Sequence, residues 1–125
     1  MSVIKVDYGE VGGGREPILL LFEQYNGSGL TNTYYTDSDI NEYCTVTGSN
    51  GSRTLTFKQA VKGTITLGIY YAGTSVSGTA TINTLNETYQ GSSVQVACYT
   101  FEAEKNQTIV YATTSSVFST ISITI

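Results

Sequence analysis

Apolar and polar residues alternate with a period of two along most of this chain. Ile4, Val6 and Tyr8 alternate with Lys5 and Asp7, Leu55 and Phe57 with Thr54, Thr56 and Lys58, and Ala80 and Ile82 with Thr79, Thr81 and Asn83. The clearest run covers 61–71 and puts Val61, Ile65, Leu67, Ile69 and Tyr71 on one face. A stripe of Ile121, Ile123 and Ile125 closes the sequence. Period two is the period of a β-strand, and the enrichment in Val, Ile, Thr and Tyr agrees with it. Val94, Val96 and Cys98 share one parity, whereas Tyr99, Phe101 and Ala103 follow the other, which predicts a β-bulge near Ala97-Cys98. No segment carries a helical period; 37–43 has room for one helical turn.

Turn signals punctuate the strands. They are Asn26-Gly27-Ser28-Gly29, Gly48-Ser49-Asn50-Gly51-Ser52, Ala72-Gly73-Thr74-Ser75, Asn86-Glu87 and Gln90-Gly91-Ser92-Ser93. Gly and Asn tolerate the positive φ that tight turns demand. About nine or ten short strands at this spacing predict an all-β antiparallel sandwich or a barrel. The break Gly12-Gly13-Gly14-Arg15-Glu16-Pro17 divides the sequence. Proline has no N–H to donate and interrupts a ladder. One reading makes 1–14 an N-terminal docking arm with a glycine hinge and 15–125 the β-sandwich domain. The other makes the break an ordinary loop between two strands of one sandwich.

Composition narrows the function. Charged residues make up 13% of the 125 residues, against roughly 25% in globular proteins. Thr, Ser, Asn and Gln take their place. Six Lys and Arg and a net charge of −4 do not provide the phosphate neutralisation that nucleic-acid binding needs. No apolar run approaches the ~18 residues of a membrane helix, so no membrane insertion is expected. The opening lacks a secretory pattern, so synthesis in a cytosol is expected. For Cys44 and Cys98 two readings stand: buried thiols acting as small hydrophobes, or one bridge formed in an oxidising medium.

The groups of common catalysis are scarce. There is no His, which removes Ser-His and Cys-His nucleophile systems and His-based zinc sites. No phosphate-cradling glycine loop occurs, and no cofactor is expected. Asp37-Ser38-Asp39 and Glu102-Ala103-Glu104 are the close carboxylate pairs, read as solvated charges rather than a glycosidase dyad. Asp37, Asp39 and Asn41 match the first ligand positions of an EF-hand loop. Glu42 then stands where the turn glycine belongs and Gly48 where the bidentate Glu belongs, so the match fails. Ten tyrosines and no Trp are the remaining oddity. In the tandem pairs Tyr34-Tyr35 and Tyr70-Tyr71, one ring should face the core and the other should be exposed as a contact.

The stretch Val3-Ile4-Lys5-Val6-Asp7-Tyr8-Gly9-Glu10-Val11-Gly12-Gly13-Gly14 resembles the start of small virion proteins encoded by phages and prophages of gut Gram-positive bacteria. The stretch from Thr54 to Thr66 is similar in style to jelly-roll domains of phage fibres and capsid decorations. The resemblance implies a jelly-roll-like sandwich in a non-enzymatic structural protein of the virion, a capsid decoration, head fibre or tail-associated component. It would be made in the bacterial host cytoplasm, contact other virion proteins, and form a homo-oligomer, commonly a trimer. Ile4, Val6 and Tyr8 are the expected docking residues, since an arm can attach by adding a strand to a partner sheet. The alternative is a carbohydrate-binding module or lectin-like adhesin whose partner is a cell-surface glycan. A small glycan hydrolase is a third reading.

Overall fold

The computed structural model describes residues 2–6, 17–26, 32–70, 76–91, 95–113 and 118–125. Two antiparallel sheets pack face to face. Among the described residues, eleven strands and one helical turn follow in the order β1 (Ser2–Val6), β2 (Leu19–Asn26), β3 (Thr33–Thr36), α1 (Ile40–Tyr43), β4 (Cys44–Ser49), β5 (Ser52–Phe57), β6 (Val61–Tyr70), β7 (Val76–Ile82), β8 (Leu85–Gly91), β9 (Gln95–Ala103), β10 (Thr108–Thr113) and β11 (Phe118–Thr124). The first sheet has the order β1-β9-β6-β11-β2-β3 and the second β4-β5-β10-β7-β8.

Pairing follows a nested pattern. β7 pairs with β8, β6 with β9, β5 with β10 and β2 with β11. The chain is thus one long antiparallel hairpin rolled over so that successive strand pairs alternate between the sheets, which is the jelly-roll plan. β1, β3 and β4 extend it at the rims, beside β9, β2 and β5.

Inward positions follow the sequence alternation. Val61, Ile65 and Leu67 of β6, Leu55 and Phe57 of β5, and Ile121 and Ile123 of β11 are all buried. Gly63 holds an inward place among them. A methyl group there would run into the Thr124 carbonyl oxygen and lie 2.7 Å from Phe101 Cε1, so only glycine lets these groups close on β6.

The anticipated bulge lies elsewhere. β6 and β9 keep one register from Val61↔Ala103 to Ile69↔Gln95, without a slip at Ala97-Cys98. Ala97, Tyr99, Phe101 and Ala103 face inward together, and Val96, on the outer face, is 58% exposed. The change of parity from Val94, Val96 and Cys98 to Tyr99, Phe101 and Ala103 thus marks an outward-facing Val96, not a bulge. The register slips instead between β11 and β2, where Ile123 faces Leu21 and Thr124 faces Leu19. The extra residue, Leu20, lets both Leu20 and Leu21 be buried.

Two-residue turns also need correction. Ser49 and Ser52 pair around Asn50-Gly51, as the sequence signal indicates, with Gly51 at φ +80°. The turn expected at Asn86-Glu87 falls at Asn83-Thr84, and 85–91 is strand β8. Asn83 takes φ 54°, its N–H donates to the Val110 carbonyl, and its Oδ1 accepts the Val110 N–H. The turns expected at 27–29, 72–75 and 92–93 and the glycine hinge lie outside the described residues.

Candidate functional site

β1 occupies the rim of the six-stranded sheet. Its five residues run antiparallel to β9 in an unbroken register, from Ser2↔Glu102 to Val6↔Cys98. None of the five is fully buried. Val3 and Lys5 share the inward parity of Phe101 and Tyr99, their partners on β9. Val3 packs against the core. Lys5 Nζ reaches across to β8 of the other sheet, 2.7 Å from Glu87 Oε1. The Tyr99 hydroxyl donates to that same oxygen at 2.6 Å. Partial burial pulls the Glu87 pKa upward, but the hydrogen bonds from Lys5 and Tyr99 and the Lys5 charge outweigh it and hold the carboxyl below its ordinary value.

Ile4 and Val6, the expected docking residues, turn to the outer face. Ile4 is 58% exposed there. With Val6, Cys98 and Val96 it forms an apolar strip along the two outermost strands of a sheet whose outer face is otherwise lined largely by Thr and Ser. Tyr8 lies outside the described residues. The contacts that β1 makes inside its own fold therefore run through Val3 and Lys5, which sequence reasoning placed on the opposite face from its anchors.

At the other rim a second carboxylate joins the sheets. Glu23 of β2 is 1% exposed. Arg53 of β5 donates from Nε to its Oε1 and from Nη2 to its Oε2, each at 3.0 Å. The Tyr111 hydroxyl of β10 donates to Oε1 at 2.6 Å, and the Gly51 N–H to Oε2 at 3.4 Å. Burial and then the Glu23 carboxylate push the Tyr111 pKa well above the phenol range. The Arg53 guanidinium also stacks 3.7 Å from the centre of the Tyr34 ring and donates to Asn50 Oδ1. Every oxygen of Glu23 is satisfied, which makes this cluster a clamp between the sheets.

The tyrosine expectation is corrected at β3. Tyr34 is 38% and Tyr35 50% exposed, so neither ring is core. β3 is a rim strand; Tyr34 is covered on one side by Arg53 of β5, and Tyr35 stacks on Phe22 with ring centres 5.2 Å apart. Tyr71 and the Tyr70 side chain lie outside the described residues.

The acidic segment before β4 is organised by its own backbone. Asp37 Oδ1 accepts the Asp39 N–H, and Lys58 Nζ and Gln59 Nε2 donate to the carbonyls of Asn41 and Glu42. The helical turn allowed by the sequence is α1. Among the described residues no group of three or more His, Cys, Asp or Glu could hold a metal ion, and no helix is long and apolar enough to cross a membrane. Both cysteines are free. Cys44 is buried inside β4, where burial pushes its thiol up to about 11; Cys98 lies half-buried on the outer face of β9.

No protein-family model, curated protein or solved structure matches this chain.

Proposed function

We propose that this chain is a non-enzymatic structural protein of a phage particle, a capsid decoration, head fibre or tail component. It attaches through its N-terminal strand and displays the sandwich outward. The observation that supports this most is β1 itself. It is a rim strand with no fully buried residue, set by main-chain register on β9 and steered by Lys5, beside an exposed apolar strip. A strand so placed can add to a sheet of a neighbouring protein, where main-chain bonds give affinity and alternate side chains give selectivity. Copies of the chain associate with one another and with other particle proteins, a trimer being the favoured homo-oligomer. The test compares the full chain with one starting at Arg15. Light scattering should give an oligomer that is lost on truncation, and only the full chain should co-purify with phage particles from the producing bacterium. Equal association of both forms would sink the reading.

A second reading rests on Tyr35. Its half-exposed ring, stacked on Phe22, is a surface on which a sugar ring could pack, as in a carbohydrate-binding module. Saturable binding on a glycan array, abolished by Tyr35→Ala, would favour it.

A further inference from the structure

We infer that the β9 seat now occupied by β1 also receives the first strand of a second copy of this chain, so that neighbouring copies exchange β1. This rests on the proposed attachment through β1 and names the acceptor.

The seat specifies its occupant. Beside Phe101 it takes an apolar side chain, Val3, and two residues on it takes a cation, Lys5. Glu87 is the reason for the second requirement. Its side chain is only 19% exposed and already accepts the Tyr99 hydroxyl. An incoming strand without a cation there would leave a partly desolvated carboxylate uncompensated. Ser2–Val6 of another copy meets both requirements with the same register.

Connectivity does not tie β1 to its own domain. β9, β6 and β11 separate it from β2, the next strand in sequence. Four strand spacings make that gap about 19 Å. The ten residues 7–16 span up to ~35 Å when extended, which takes in an adjacent copy as well as the home sheet. Identical contacts form either way, the condition under which exchange costs little. Exchange would also bring two copies together at the rim where Ile4 and Val96 are exposed.

Register supplies the test. Val6 lies opposite the native Cys98, so Val6→Cys places two thiols on paired strands at a Cα separation of about 4.5–5.5 Å, within disulfide reach. The full-length Val6→Cys chain is oxidised with diamide, which takes up the two electrons and two protons that the thiols lose, at rising protein concentration. Exchange yields disulfide-linked dimers and larger species that grow with concentration and vanish with reductant. A monomer with one internal disulfide at every concentration overturns the inference. A charge swap gives an independent readout. Lys5→Glu and Glu87→Lys chains, each carrying Val6→Cys, should cross-link severalfold better when mixed than apart, because only exchange restores the pair between them; no gain on mixing also overturns it. If trapping stays within one chain while removal of 1–14 still abolishes association, exchange fails and the attachment reading survives. If removal of 1–14 changes nothing, the attachment reading itself fails.

Discussion

Arg53 holds Glu23 at two points across the gap between the sheets, Nε to Oε1 and Nη2 to Oε2, both at 3.0 Å. Removing one partner strands the other. Arg53→Met should destabilise the fold by about 3–5 kcal/mol, since it leaves a buried carboxylate without its cation. Replacing both, as Glu23→Leu with Arg53→Met, should cost less than Arg53→Met alone, because no charge is then left uncompensated. Urea denaturation of the three forms measures the order.

The Lys5–Glu87 pair should make β1 sensitive to acid. The folded-state pKa of Glu87 lies below its ordinary 4.5. The stability it contributes is therefore present above that ordinary value and is lost as pH falls through the folded value. Lys5 is largely exposed, so the contribution is on the order of 0.5–1 kcal/mol. Hydrogen exchange at residues 3–6, corrected for intrinsic rates, should lose protection between pH 6 and pH 3. Lys5→Met should show the same loss already at pH 6 and little further change on acidification.

The two thiols should differ sharply in reactivity. At pH 8 the native protein should consume one equivalent of a thiol reagent, at Cys98, and two after denaturation. The Cys44 thiol is raised from 9.0 to about 11 by burial. A raised thiol pKa contributes stability below the unfolded value that disappears as pH rises through the folded one, so the fold should weaken between pH 9 and 11. Cys44→Ala should remove that part of the alkaline loss, as followed by denaturation across this window.

Gly63 should be intolerant of any side chain. Gly63→Ala drives a methyl group against the Thr124 carbonyl and the Phe101 ring, and the overpacking should cost about 1–3 kcal/mol. Thermal unfolding of the variant tests this, with Gln59→Ala at an exposed bend as a control; that change loses its hydrogen bond to the Glu42 carbonyl and should cost less.

Alternation made most strands legible, because an inward Ile and an outward Thr leave a period that needs no partner to be seen. It failed where an apolar residue faces outward. Val96, on the parity opposite to Tyr99 and Phe101, implied a bulge in a ladder that has none. β8 was missed because its pattern is carried by Thr, Tyr, Asn and Glu rather than by aliphatic residues. The two cross-sheet carboxylates were illegible for a different reason. A Glu reads as solvated until its cation is known, and Arg53 lies thirty positions from Glu23. A signal was present: Glu23 sits at a position of the same parity as Leu21 and Tyr25, in a strand that begins Leu19-Leu20-Leu21. The nested pairing depends on contacts too distant in sequence for local pattern to express.

That nesting also orders events during synthesis. β11 lies between β6 and β2 in the interior of its sheet, and Ile18 and Ile125 exchange both backbone hydrogen bonds beyond it. β11, made after both of them, is thus the strand that separates two earlier ones. Until it arrives, β6 and β2 each present an unpaired edge to other nascent chains. Ribosomal stalling before β11 would yield not a shorter domain but a split sheet, and a chaperone or a neighbouring copy would have to shield the gap.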